Sequence, residues 1–342
     1  MRSIKHRPSE RFHSGNTPFH MNSSNLGGMD TLGAFLDGPR ARNAFMLRSI
    51  MNPPWSLRIQ DEAPLTVVAV VTGTAWIIFD GDEPQPLGPG DLAIIRGPHP
   101  YTVADDPSTR PQVIIHPDQH CTTPSGESLA EEMNLGIRTW GNSASGSATM
   151  LTGAYTTDGE ISHRLLEALP RLIVIPQASW DTPLIRLVAD EIGNDDPGQE
   201  VVLDRLLDLL LIAALRTWFA RADTATPPWY HAHADPIVGR AIRLLTNEPA
   251  FQWSVANLAA EVGLSRASLA RRFNDLVGEP PMAFLAGWRL ALAADLLREP
   301  GSTVTSAARR VGYNSPFTFS AAFKRLYGVS PKAHRERQTL SA

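Results

Sequence analysis

Two stretches decide the fold of the last third of the chain: VGLSRASLARRF, Val262 to Phe273, and VGYNSPFTFSAAF, Val311 to Phe323. Each runs from a Val-Gly pair through a serine into a short run that ends on phenylalanine. Gly263 and Gly312 permit the positive φ of a tight turn, and Ser265 and Ser315 are cap residues for the helix that follows. Ahead of the first turn, VANLAAEVG predicts a short helix with Val255, Leu258, Ala259 and Val262 inward; VTSAARRVG plays the same part before the second. Beyond the turns, Leu269, Phe273 and Leu276, and then Phe319, Phe323 and Leu326, recur at helical spacing and predict a buried stripe in each copy. Both copies close on a glycine followed by proline, GEPP and GVSP. The chain is therefore expected to hold two helix-turn-helix units, at 255–277 and 304–327.

A helix-turn-helix delivers its second helix to the DNA major groove. The faces left outward carry Arg266, Ala267, Ala270, Arg271 and Asn274 in the first unit and Phe317, Ser320, Ala321 and Lys324 in the second. Between the units, MAFLAGWRLALAADLLRE, Met282 to Glu299, has no proline or charge on its apolar stripe, so one rigid helix is expected. Eighteen residues span about 27 Å, close to the roughly 34 Å of one DNA turn. Two recognition helices so spaced can enter successive grooves on one face of the duplex. Charge agrees with this: from Asp235 onward there are 14 Lys+Arg against 8 Asp+Glu, whereas residues 1–234 carry 17 against 27. A basic block on an acidic protein suits a polyanionic partner.

The 342 residues suit two domains, and 43% hydrophobic with 19% charged residues is an ordinary globular balance. Residues 1–28, rich in Ser, Asn, Gly, Arg and His, are expected to form a disordered tail. From about Trp55 to Ile115, LTVVAVVTG, AWIIFDG, LAIIRG and PQVIIH, punctuated by Gly, Pro and Asp-Gly, predict a small antiparallel β structure. Residues 117–148 read as a polar loop, and TMLTGAYTT returns one more strand. From Ser162 the period turns helical, through HRLLEALPRLIVI and WDTPLIRLVADEI to QEVVLDRLLDLLLIAALRTWFARA. The apolar side of that last helix is too wide for a lone surface helix: it is sandwiched within its domain, or it pairs two copies of the chain. ADTATPPWYHAHADP reads as a linker over 223–235. The absence of an apolar h-region and the single Cys121 favour a cytoplasmic location, and no run is long enough to span a membrane.

Residues 236–337 closely resemble the DNA-binding domain of AraC/XylS-type transcriptional regulators, through LAAEVGLSRASLARRF, GEPPMAFLAGWRLALAADLL, VGYNSPFTFSAAFKRLYGVSP and HRER. The resemblance implies base contacts from Ala267, Ala270, Arg271, Phe317, Ser320 and Ala321. It places Arg266, Lys324 and Arg325 near phosphates, with Ser268, Asn274 and Thr318 on the same surfaces. Family members often carry Arg where Ala321 stands, so the second helix lacks a bidentate reader of guanine. The implied partners are promoter DNA, RNA polymerase, a second copy of the chain and a small-molecule effector.

The strands before residue 115 resemble the cupin domain of one AraC subgroup, through GPGDLAIIRGPHPYTVADD and LEALPRLIVI. The expected architecture is α+β: a cupin-like β-barrel followed by helices over 29–222, then an all-α tandem helix-turn-helix domain. Cupin metal ligands do not carry over, since Val68 and Tyr101 stand where histidines are expected and His99 is displaced. No metal, cofactor or enzymatic activity is therefore expected; the alternative is a metal-dependent cupin enzyme fused to a DNA-binding module. The barrel is either a pocket for an organic ligand or a structural, dimerising unit. His116, His120 and Cys121 read as a solvated loop, His231 and His233 as an exposed turn, and Thr152 occupies a position where some relatives carry a redox cysteine.

Overall fold

The structure, a computed structural model, describes residues 45–155, 166, 169–180, 183–221, 232, 235–297 and 301–339. The predicted tail, 1–28, lies outside the described residues, as does the predicted linker, 223–235, apart from Ala232 and Asp235.

Thirteen strands are described: β1 (Phe45–Met51), β2 (Ser56–Ile59), β3 (Leu65–Thr72), β4 (Ala75–Ile78), β5 (Gln85–Leu87), β6 (Leu92–Arg96), β7 (Tyr101–Ala104), β8 (Val113–Ile115), β9 (Cys121–Thr122), β10 (Asn134–Gly136), β11 (Thr139–Trp140), β12 (Ala148–Tyr155) and β13 (Leu172–Ile175). They pair in two sheets rather than one closed barrel. The larger runs β10-β11-β1-β12-β3-β6-β13 and the smaller β5-β4-β7-β2-β8-β9. Successive side chains of a strand point to opposite faces, and both faces of the larger sheet are covered. Val68, Val70, Ala93, Ile95 and Met150 meet Leu57, Ile77, Tyr101 and Val103 of the smaller sheet in one core. Val67, Ala69, Ile94, Leu151 and Tyr155 meet two helices, α1 (Leu184–Glu191) and α2 (Gln199–Phe219), in another.

Burial on both faces explains why β3 reads as LTVVAVV, apolar at every position but Thr66. It also explains Gly153 in β12: a Cβ there would lie 2.6 Å from Cδ1 of Leu207, so the missing side chain lets α2 lie close to the sheet. Beside it, the buried Tyr155 hydroxyl donates to the Leu207 carbonyl at 3.0 Å.

Two sequence expectations change. Leu172–Ile175, expected as part of a helical stretch, is strand β13, paired antiparallel with β6 as Leu172↔Ile95 to Ile175↔Leu92. Pro170 prevents the preceding turn from continuing, and the Ile-Val-Ile run suits a sheet edge covered by α2. The 117–148 stretch, expected as loop, contributes the short strands β9 to β11. Strand β1 lies upstream of the first predicted strand and pairs along its whole length with β12.

The C-terminal part holds α3 (Val238–Asn247), α4 (Val255–Glu261), α5 (Arg266–Val277), α6 (Pro281–Leu296), α7 (Val304–Arg310), α8 (Pro316–Tyr327) and α9 (Pro331–Thr339). Leu258, Ala259, Leu269, Phe273 and Phe284 form the first core with α3, and Leu290, Ala307, Ala308, Phe319 and Phe323 form a second. One stripe position differs from expectation. Leu276 of α5 packs against the first core, with Val277 buried beside it, whereas Leu326 of α8 is 47% exposed while Tyr327 packs on the second core. The helical period of 3.6 brings i+8 as close to the core as i+7, and the neighbouring helices select between them. Asp235 opens this part: its carboxylate accepts from the Ile237 and Val238 amides at 3.0 and 2.9 Å and from Arg272 of α5 at 2.6 Å.

Two stability experiments follow from these contacts. Gly153→Val should cost about 1–3 kcal/mol by overpacking against Leu207. In a Leu207→Ala background the same change should cost clearly less, because the neighbour is gone, and a double-mutant cycle by urea unfolding measures this. For Asp235, burial raises the carboxyl pKa, but the hydrogen bonds from Arg272 and the two amides outweigh it and leave it below the ordinary 3.8. A carboxyl depressed in the folded state adds stability above its unfolded value that is lost as pH falls through the folded one. Asp235→Asn should therefore be less stable at pH 7, by up to about 1 kcal/mol, with the gap closing as the pH drops below the carboxylate range.

Candidate nucleic-acid interface and the cavity between the sheets

The two recognition helices are built by the same local devices. Ser265 accepts from the Ser268 amide at 3.2 Å to start α5, and Ser315 accepts from the Thr318 amide at 3.5 Å to start α8. Gly278 and Gly328 end them in the left-handed conformation. The supporting helices α4 and α7 each begin with a capping box, Ser254 with Asn257 and Thr303 with Ser306, a matched pair that sequence reading missed because Asn and Ser stand where the usual pattern has Glu or Gln.

On α5, Arg266, Ala267, Arg271 and Asn274 are exposed, and Ser268 and Ala270 are half-buried. The Ser268 hydroxyl is held at 2.9 Å by Ser265, so it serves the cap. Arg271 and its neighbour Arg272 differ in kind. Arg272 is paired with Asp235, while the side chains of Arg266 and Arg271 have no hydrogen-bond or ion-pair partner among the described residues. On α8, Phe317, Thr318, Ala321, Lys324 and Arg325 are exposed and Ser320 is half-buried. Phe317 is 88% exposed, the most exposed large apolar side chain among the described residues. Both faces carry two exposed cations, but those of α8, Lys324 and Arg325, lie in its last turn, while its first turn presents Phe317 and that of α5 presents Arg266. The helix between them, α6, has 16 residues and a length of about 24 Å, slightly shorter than the expected span.

The N-terminal domain holds a cavity between its sheets, with about 620 Å³ of atom-free space counting its open mouth. Phe45, Leu47, Leu57, Val68, Val103 and Met150 make an apolar wall. The polar contributions come from Ser49, Asp61, Tyr101, Gln119, Cys121, Trp140 and Thr152, and among the described residues no Lys, Arg or His lines it. Trp140 is buried, yet its indole N–H has no hydrogen-bond partner among the described residues. Burial first, and then the Asp61 carboxylate, push the Tyr101 hydroxyl up, so it is a neutral phenol. Burial also raises the Cys121 thiol, which keeps it protonated rather than nucleophilic.

Val68 and Tyr101, the positions that bear histidines in metal-binding cupins by the resemblance above, both face this cavity, while His99 is exposed. His116 Nε2 is bonded to Thr122 Oγ1 at 2.9 Å, and its ring centroid lies 5.9 Å from that of His120. No group of three or more His, Cys, Asp or Glu able to hold a metal ion occurs among the described residues. His231 and His233 lie outside them. Among the described residues no helix is long and apolar enough to cross a membrane.

Comparison with known proteins agrees with this division. A cupin family model matches residues 30–220, and a helix-turn-helix domain model matches residues 258–337. A putative AraC-like transcription regulator of Streptomyces lividans is 29% identical over 91% of this chain and 100% of its own. The HTH-type transcriptional regulator AlkR of Acinetobacter baylyi is 26% identical over 90% and 100%. Among solved structures, the DNA-binding domain of AdpA, a global transcriptional factor in complex with a target DNA, is 32% identical over 30% of this chain and 92% of that one, with a TM-score of 0.29. With more than half of its length matched by the cupin model and its C-terminal helices by the helix-turn-helix model, the chain belongs to the AraC-type family of cupin and helix-turn-helix regulators.

Proposed function

We propose that this protein is a sequence-specific transcription regulator in which α5 and α8 read two adjacent half-sites of promoter DNA. The observation that carries the reading is the pair of capped, outward-facing helices, one of which presents Arg266 and Arg271 without a partner among the described residues. In this reading Arg271 contacts bases, Arg266, Lys324 and Arg325 neutralise phosphates, and Ala267, Ala270 and Asn274 complete the first surface. Phe317, Thr318, Ser320 and Ala321 form the second, where the exposed Phe317 ring suits thymine methyl groups. The protein works in the cytoplasm beside RNA polymerase, and its N-terminal domain is regulatory rather than enzymatic.

Two features support the regulatory assignment. The outer side of α2 exposes Val201, Val202 and Leu209, an apolar strip suited to a second copy of the chain. The cavity between the sheets suits a small effector. With an apolar wall and, among the described residues, an unpartnered indole donor, one carboxylate and no basic side chain, it favours a neutral or cationic compound over an anionic one.

Sites selected by the full chain from a random DNA pool test the reading. Arg271→Ala should relax base preference in one half-site by about tenfold or more, as expected for a bidentate contact of about 1–3 kcal/mol. Lys324→Ala should weaken all sequences alike and lower the salt dependence, and Ala321→Arg should add a preference in the other half-site. Unchanged preference in Arg271→Ala would exclude α5 as the main reader. For the sensor, a thermal-shift screen of neutral, amine and carboxylate compounds should yield stabilisers from the first two classes. A compound at about 100 times its Kd adds about 2.7 kcal/mol, and Val68→Phe, which fills the cavity, should abolish the shift while leaving DNA binding without the compound intact.

A further inference from the structure

The apolar cores of the two helix-turn-helix units do not merge. The first ends at Phe284 and Leu285 of α6, and the second begins at Leu290 of the same helix. One helix joins the two small cores; Trp288 and Ala291 on it are also fully buried, and the Trp288 indole donates to the Thr246 carbonyl of α3 at 3.4 Å. A second set of contacts crosses the joint, and it is polar. Arg289, on the turn of α6 between the two cores, donates from Nε to the Pro249 carbonyl and from Nη2 to the Phe251 carbonyl, both at 2.7 Å. Those carbonyls belong to the α3–α4 connection of the first unit. The same guanidinium lies 6.0 Å from the ring centroid of Tyr313, in the turn of the second unit.

The connection touches that turn directly as well. Gln252 Nε2 donates to the Gly312 carbonyl at 3.1 Å. Gly312, with φ of 88°, lies so close that a Cβ would fall 2.7 Å from Cα of Ala250. At each end the contacts continue into a recognition unit. The Gln252 carbonyl accepts from Asn257, the capping-box residue of α4, at 3.2 Å. The Tyr313 ring meets Phe319 of α8 edge-on at 5.4 Å between centroids.

We infer that Arg289, Gln252 and Gly312 form a brace that fixes the angle and distance between α5 and α8, and that these residues, none of which is in the DNA-reading set, decide which half-site spacing the protein accepts. Arg is suited to this because its planar fork reaches two carbonyls at once and its face remains for the tyrosine ring, which lysine cannot reproduce. Only the DNA arm of the test below depends on the half-site reading; the brace itself does not.

The test uses the full chain and the double variant Arg289→Lys/Gln252→Ala, with thermal unfolding to establish that the variant folds; the single variant Gln252→Ala, which loses two exposed hydrogen bonds, to the Ala250 and Gly312 carbonyls, stands in if it does not. In the first arm, spin labels at Asp275→Cys on α5 and Leu326→Cys on α8, in a Cys121→Ser background, report the distance between the helices without DNA. Wild type should give a narrow distribution that broadens by about twofold or more in the variant. Equal widths overturn the brace. In the second arm, duplexes selected by wild type are compared with versions carrying one inserted base pair between the half-sites, which separates them by about 3.4 Å and rotates them by about 35°. The insertion should cost wild type about tenfold in affinity and the variant about threefold or less. An equal penalty in a folded variant overturns the inference about spacing. A distribution that broadens as expected while wild type selects no two-part site keeps the brace and overturns the half-site reading instead.

Discussion

Strand β3 must be kept dry on both of its faces, and most of the N-terminal domain follows from that requirement. Val68 and Val70 point to one side, Val67 and Ala69 to the other, and all four are buried. Each face left in water would forfeit the burial of several branched side chains, at roughly 25 cal/mol for every Å² of apolar surface. The smaller sheet covers one side and α1 with α2 the other, giving three layers. Gly153 then becomes a spacing device, since α2 can reach the sheet only where the neighbouring strand has no side chain in the way.

The same layering gives the proposed sensor and the proposed pairing helix a shared wall. Thr152 lines the cavity, and Gly153, the next residue, is the one pressed by Leu207 of α2. Because consecutive residues of a strand face opposite ways, a displacement of β12 or β3 on the cavity side is felt one residue away under the helix. The two roles assigned to this domain thus meet in a pair of strands and need no longer route.

The C-terminal part is organised on a different principle. It has two small cores instead of one large one, and a helix of 16 residues carries one from the other. Small cores stabilise each unit but say little about their relation, which falls to directional contacts. Hydrogen bonds to backbone carbonyls suit that purpose, because they weaken steeply with misalignment and so select one arrangement. The cationic balance of this part, set against the acidic N-terminal part, favours contact with a polyanion through the helical end of the chain.

Some of this was legible in the residues alone. Glycine turns, serine caps and phenylalanine stripes act within a few positions of one another, so both helix-turn-helix units and the outward faces of α5 and α8 could be read directly. The β-rich character of residues 55–115 and the long apolar helix could be read too. Strand β13 and the short strands of 117–148 could not: four residues of Leu-Ile-Val-Ile satisfy a helix or a strand, and the hydrogen bonds of β6 made the choice. Nor could the choice of Tyr327 over Leu326, since both lie near the edge of the stripe until a neighbouring helix covers one of them.

The sequence by itself determined what is local: where the two helix-turn-helix units turn, how their recognition helices are capped, and most of the side chains those helices leave outward. Tertiary structure alone decided what depends on distant partners. It brought Arg289 to carbonyls some 40 positions away, set Asp61 and Trp140 around one cavity, and placed Leu207 over Gly153. The reason is physical. A cap or a turn is a contest among neighbours in the chain, which spacing expresses, whereas a cavity or a brace exists only where separate elements happen to meet, and no periodicity records the meeting.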